Sequence, residues 1–325
     1  MPCANPAVET MPRPDLERLQ LERLQKSILW ASEKSKFYSE HLKDNETGSV
    51  PYIDALSDIE KLPFTTLEDL LGCSAFDFVT MPLSGVMRIS REHDPMEMYK
   101  MYSKDDVGHN VEMMSRALAA SGVNRATIVG VLGDYSDSQI LDVHYALEIL
   151  GATVVPLGIV IENALALMEF SGVDTIIGTS QDLMQVIIQY QVRSMDITEY
   201  PISRVICMNG SIQNPMKRHF GDRMKADVWD LYASEELGFA GAFYACDGGG
   251  KGNHVQEDNF YVEVVEFGGD EPVREDAKMG EMVITTLNAQ AMPLIRYRTG
   301  QAVMRISDPC PCGRTFMRIM TPFGA

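Results

Sequence analysis

With 325 residues, 45% of them apolar, the chain is long enough to bury a substantial core as one large domain or two small ones. Its formal charge of −18 disfavours non-specific attachment to nucleic acid or to an anionic membrane, and no charge-free run approaches bilayer length. Six cysteines are too few for a disulfide scaffold of this size, and Glu9, Asp15 and Glu17 stand where a secretory leader would need apolar residues, so the expectation is a cytoplasmic protein.

Leu16, Leu19, Leu24 and Ile28, with Leu21 nearby, trace a helical apolar stripe, and Phe37 and Tyr38 follow it. Residues 54–62 read as a short helix ending before Pro63. Thr65 or Thr66, followed by Glu68 and Asp69, reads as the start of another, with Leu67, Leu70 and Leu71 on its buried side. From Val86 onward strands and helices alternate. Strands are expected at 86–90, 127–132, 152–157, 174–178, 204–208 and 226–231, and helices at 139–150, 163–171, 183–192 and 215–223. Short apolar strands separated by amphipathic helices imply right-handed crossovers and a mostly parallel sheet. After Cys246 the pattern changes to strand-like stretches at 259–267, 281–287 and 301–306, broken by Gly-, Asp- and Pro-bearing turns. The resulting expectation is an α/β fold in three parts: a helical segment over 1–85, a nucleotide-binding α/β core over 86–245, and a small antiparallel, barrel-like subdomain over 246–325.

In so acidic a chain, a bound nucleotide must be met by local donors or a cation, so loops at strand ends are the places to search. The strand at 204–208 runs into Asn209-Gly210-Ser211-Ile212, and the strand at 226–231, which ends on Asp230 and Leu231, runs into Tyr232-Ala233-Ser234-Glu235-Glu236. By residue type alone these are either ligand loops or polar loops with solvated carboxylates. Cys246, His254, Cys310 and Cys312 all fall in the strand-rich part. Three thiolates and an imidazole suit a closed tetrahedral zinc site, although Cys-x-Cys is tighter than the usual zinc spacing. The alternative is separate buried thiols and a surface histidine. Cys3 reads as a tail thiol, and Cys73 and Cys207 as core residues.

Several motifs together resemble the phenylacetate–CoA ligases of the adenylate-forming (AMP-binding) superfamily, and, more broadly, coenzyme F390 synthetase-like proteins. They are Val8-Glu-Thr-Met-Pro12 with Leu16-Glu-Arg-Leu19, Phe64-Thr-Thr66, Gly280-Glu-Met-Val-Ile-Thr-Thr-Leu287, Ala291-Met-Pro-Leu-Ile-Arg-Tyr-Arg-Thr299 and Cys310-Pro-Cys-Gly-Arg-Thr315. The resemblance implies an enzyme that joins a carboxylic acid to AMP and passes the acyl group to CoA or another thiol. It implies that the loops at Gly210, Ser211 and Ile212 and at Asp230, Leu231, Tyr232, Ala233 and Glu235 cradle ATP or AMP, and that Glu236 holds Mg2+ beside the phosphates. It also supports the zinc reading of the four Cys and His residues, and homodimers are a family habit.

Three features depart from the family pattern. The stretch 90–100, where a Gly-rich phosphate loop with a lysine is expected, contains no glycine and carries Glu92, Asp94 and Glu97. Gln301 stands where an aspartate normally accepts both ribose hydroxyls, and a neutral amide accepts more weakly. The chain ends near the point where a hinge would lead to a lid bearing a catalytic lysine, so the thioester-forming step would need that lid from a separate protein. Arg296 and Arg298 are expected to pair with local carboxylates. An acid pocket is expected around 133–138 and 157–160, with Tyr135 as a wall and Gly158 beside it; His144 reads as a core histidine more than a pocket residue. The rival to a ligase is a degenerate nucleotide- or ligand-binding protein, or one subunit of a split ligase.

Overall fold

A computed structural model describes residues 3–44, 46–92, 98–208, 214–232, 241–248 and 250–322. Two strands, β1 (Val86–Glu92) and β2 (Met98–Ser103), form an antiparallel hairpin of their own. The remaining described strands make one sheet. They are β3 (Ile128–Leu132), β4 (Thr153–Gly158), β5 (Thr175–Thr179), β6 (Arg204–Met208), β7 (Asp227–Tyr232), β8 (Phe243–Tyr244), β9 (Asn253–Val255), β10 (Phe260–Val265), β11 (Met279–Thr286), β12 (Tyr297–Ile306) and β13 (Arg318–Met320). Their order is β10-β11-β12-β13-β9-β8-β7-β6-β5-β3-β4.

The half from β4 to β7 is parallel, as the alternating sequence pattern requires. Successive side chains leave a strand on opposite faces, and both faces here are apolar. Val129, Val131, Ile206 and Met208 pack with the helices Lys104–Ala120 and Ser138–Leu150. Leu132, Ile176, Val205 and Cys207 pack with the helices Ile161–Ser171, Ser180–Val192 and Asn214–Met224. Each fully buried side chain of this size contributes about 1.5–3 kcal/mol. Because the chain passes from β3 outward to β4 and then back to β5 on the other side, the sheet has a topological switch point between β3 and β5. In such sheets the crevice beyond the strand ends at that point is where ligands bind.

The antiparallel strands after Cys246 continue this sheet through β7–β8 and β8–β9. Hydrogen bonding therefore runs across the position where the composition changes. The helix Arg13–Lys34 lies against this half, with Ser27 Oγ donating to Thr286 O at 2.9 Å and Trp30 Nε1 donating to Gln290 O at 3.0 Å. The 17-residue helix Lys104–Ala120 is absent from the sequence reading, although its start carries a readable signal. Asp106 N donates to Ser103 Oγ at 3.1 Å and Ser103 N donates to Asp106 Oδ2 at 2.7 Å, a capping box.

Gly280, inside β11, lies where a Cβ would come within 2.4 Å of Val265 O, a backbone atom that cannot turn away. Gly280→Ala is expected to push β10 from β11 and lower stability by about 1–3 kcal/mol, the usual cost of overpacking. Urea unfolding of the pair of proteins checks this; an unchanged midpoint would refute it.

Candidate active site and metal centre

β6 and β7 are adjacent and in register, with Cys207 opposite Asp230 and Met208 opposite Leu231. The two loops expected to hold a nucleotide therefore leave neighbouring strands at the same level. Gly210, Ser211, Ile212, Ala233, Glu235 and Glu236 themselves lie outside the described residues, as does the side chain of Tyr232. Asp230 is buried, and its Oδ2 accepts from Asn253 Nδ2 at 3.4 Å, tying the end of β7 to β9. Leu231 is a core side chain, which leaves its backbone as the part available to a ligand.

Gln301 sits on β12, four places from β7 in the sheet order. Its Oε1 is a buried acceptor that no donor among the described residues meets, a group that a ligand hydroxyl would satisfy once the side chain turns. Arg296 and Arg298 are paired as expected. Arg296 Nη2 lies 2.8 Å from Glu263 Oε1, with both side chains buried, and Arg298 Nη2 lies 2.5 Å from Glu281 Oε2. The Phe64 ring packs against both guanidinium groups, at 3.9 and 4.9 Å. Two sequence motifs far apart in the chain are thus one packed unit, joined further by Thr65 N donating to Arg296 O and Arg298 N donating to Thr65 O, each at 2.9 Å.

At the switch point, Gly133 takes φ +134° and its N–H donates to Gly158 O at 3.1 Å, binding the loop after β3 to the end of β4. Tyr135 follows in that loop. Its hydroxyl is buried without a hydrogen-bond partner among the described residues, and burial pushes its pKa up to about 12, so the phenol stays protonated. His144 is half-buried, its ring edge-on to Tyr135 at 5.7 Å and its Nε2 3.2 Å from Glu148 Oε1. It belongs to the wall behind Tyr135 and not to the fully buried core. The hairpin is fixed to the same helix: Arg88 Nη1 donates to Ser138 Oγ at 2.9 Å and to Asp142 Oδ1 at 2.5 Å. The turn joining β1 to β2, with His93, Asp94 and Glu97, lies outside the described residues, as does the Glu92 side chain.

Cys246, His254, Cys310 and Cys312 come together. All four are buried, and their ligand atoms lie within 4.8 Å of one another. Cys246 Sγ and Cys310 Sγ are 3.5 Å apart, and Cys312 Sγ and His254 Nε2 are 3.3 Å apart. A tetrahedral ion with Zn–S about 2.3 Å and Zn–N about 2.0 Å spaces its ligands by roughly 3.5–3.8 Å, so the donor set fits zinc without large movement. His254 Nδ1 lies 3.1 Å from Phe316 O, an arrangement that puts the proton on Nδ1 and leaves Nε2 bare for a metal. A hydrogen bond from Cys246, followed by the influence of His254, holds Cys312 on the thiolate side of its ordinary range, and that thiolate with burial pushes Cys246 up.

The glycine-rich loop after Cys246 has a role that spacing alone did not reveal. A Cβ at Gly248 would come within 2.6 Å of Cys312 N, and one at Gly250 within 2.7 Å of Cys310 Sγ, so backbone must pass where side chains cannot. The remaining cysteines divide differently from the expectation: Cys207 is core, but Cys73 is half-buried, and Cys3 is also half-buried, its thiol raised first by burial and then by Glu9.

No family model matches the chain. Its fold nevertheless matches those of solved CoA ligases. It matches 2-hydroxyisobutyryl-CoA ligase, solved in an open conformation with 2-HIB-AMP and CoA, at a TM-score of 0.88 and 20% identity over 99% of this chain and 74% of that one. A long-chain-fatty-acid-CoA ligase from Archaeoglobus fulgidus matches 73% of this chain at a TM-score of 0.54 and 10% identity. In sequence, the chain is similar to phenylacetate-coenzyme A ligases. It is 28% identical to that of Thermus thermophilus over 319 residues, 97% of this chain and 71% of the relative. It is also 28% identical to that of Escherichia coli over 300 residues, 90% of this chain and 68% of the relative. Among the described residues, no helix is long and apolar enough to cross a membrane.

Proposed function

We propose that the protein is an acid–CoA ligase-type enzyme that activates a carboxylic acid as its acyl-adenylate, using ATP. The observation that carries this reading is the similarity to phenylacetate-coenzyme A ligases along 97% of the chain. The paired ends of β6 and β7 support it, as does the topological switch point between β3 and β5, after which Tyr135 follows. In this reading Gly210, Ser211, Ile212, Tyr232, Ala233 and Glu235 cradle the nucleotide, and Gln301 accepts from a ribose hydroxyl. Glu236 would hold Mg2+, which when bound would neutralise phosphate charge. The substrate carboxylate, with Tyr135 and Gly158 at its pocket, attacks the α-phosphorus as pyrophosphate leaves, and positioning and charge neutralisation supply most of the rate. CoA or another thiol then takes the acyl group. Zinc at Cys246, His254, Cys310 and Cys312 is structural, since all four donors come from protein and leave no open position.

Calorimetric titration with ATP and AMP, with and without Mg2+, followed by pyrophosphate exchange across aryl and acyl acids, tests the proposal. ATP binding is expected to strengthen with Mg2+, and Glu236→Ala to lower exchange by about 100-fold or more, the scale for losing a group that stabilises developing charge. A second reading is favoured by the composition of 90–100, which lacks glycine and contains Glu92, Asp94 and Glu97. It is a protein that binds AMP or an adenylate without turnover. AMP binding with no exchange on any acid would select it over the ligase.

A further inference from the structure

The cysteine cluster lies just beneath the surface, under two exposed turns. Asp247 and Lys251 on one side, and Asp308, Pro309, Pro311 and Gly313 on the other, face solvent, and Cys246, Cys310 and Cys312 keep 9%, 7% and 7% exposure. Residual exposure of this kind admits a solute the size of hydrogen peroxide.

The three sulfurs are not equivalent. Cys246 Sγ and Cys310 Sγ face each other at 3.5 Å, from segments 64 positions apart. Cys312 Sγ is engaged elsewhere, 3.3 Å from His254 Nε2 and accepting from Arg314 N at 3.5 Å. A disulfide holds its sulfurs at about 2.0 Å, so the first pair closes by roughly 1.5 Å, whereas Cys312 would have to leave two partners. We infer, resting on the zinc assignment of these residues, that Cys246 and Cys310 are a peroxide-responsive pair that closes to a disulfide, gives up the metal and keeps the seam of the sheet joined. Held as metal ligands, both are thiolates. One sulfur attacks hydrogen peroxide and becomes a sulfenic acid as hydroxide leaves. The other attacks that sulfur, forming the S–S bond and expelling a second hydroxide, and two protons from solvent complete two waters. Cys312 and His254 then remain as two donors where a tetrahedral site needs four. The new bond ties the residue after β8 to the segment entering β13, so a covalent clamp takes over from the metal one. A thiol reductant reverses the step by exchange.

Zinc-loaded protein carrying Cys3→Ser and Cys73→Ser, which removes the two half-buried thiols, is treated with hydrogen peroxide or with buffer alone. Released zinc is read with a chromophoric chelator, and each cysteine by alkylation in denaturant before and after reduction, peptide by peptide. Peroxide is expected to release about one zinc per chain and to lower alkylation of Cys246 and Cys310 about tenfold through a disulfide between them, with Cys312 still alkylated. Dithiothreitol with zinc should restore both. The oxidised protein should melt about 5 °C or more above reduced protein stripped of metal, because a cross-link spanning 64 positions constrains the unfolded chain. A disulfide at Cys312, or peroxide treatment that leaves zinc bound and all three thiols open to alkylation, would overturn the inference. Protein that carries no zinc before treatment would fail the metal assignment instead, and the peptide map alone then decides the pair.

Discussion

Purified protein is expected to carry close to one zinc per chain, and stripping it with a chelator, or His254→Ala with Cys310→Ser, to lower Tm by about 5 °C or more. The size follows from where the cluster sits. Cys246 follows β8, His254 is on β9, and Cys310 and Cys312 lie in the segment that enters β13. His254 faces Tyr244 across one ladder and Arg318 across the other. A metal here clamps the seam where the parallel half of the sheet passes into the antiparallel half. Without it, three thiols and an imidazole crowd a buried space in which a thiolate has lost its cation. Structural zinc is worth about 10–16 kcal/mol in small domains, and even a third of that is a shift of this order in a chain of this size. Less than about a tenth of an equivalent of zinc, with a Tm that a chelator does not move, would remove the metal centre from this protein.

Glu9→Ala is expected to cost about 3–5 kcal/mol, the range for leaving one member of a buried ion pair behind. Glu9 and Arg314 are both fully buried, and Arg314 Nε donates to Glu9 Oε2 at 2.5 Å. The carboxylate also accepts from Asn5 N at 2.8 Å, and Thr315 N donates to Glu9 O at 3.0 Å. The pair joins the N-terminal segment to the residues just beyond the cysteines. Replacing only Glu9 strands a guanidinium away from water, whereas Glu9→Leu with Arg314→Met removes both charges and should recover most of the loss. Urea unfolding of the three proteins measures it. A single-variant loss below about 1 kcal/mol would place the pair in the class of solvated ion pairs, against its burial.

The parallel half of the fold was legible because its information is local. β-branched runs such as Val129–Val131 and Val205–Ile206 bury both faces, and amphipathic helices between them leave few alternatives. The pairing of Arg296 and Arg298 was legible in kind but not in partner, because Glu263 and Glu281 meet them through strand register. The helix Lys104–Ala120 was readable from Ser103 and Asp106, the capping-box pair three positions apart, yet its mixed apolar pattern hid it.

By itself the sequence determined the alternation of strand and helix and the overall similarity to phenylacetate-coenzyme A ligases, both of which depend on neighbours in the chain. Only the tertiary structure decided that Cys246 and His254 meet Cys310 and Cys312. That meeting depends on β13 lying between β9 and β12 rather than on any spacing. It also decided that Glu9 reaches Arg314 across 305 positions and that Gly248 and Gly250 must lack side chains. Contacts of such separation carry no periodic signal, because nothing in either segment alone records what the other will place against it.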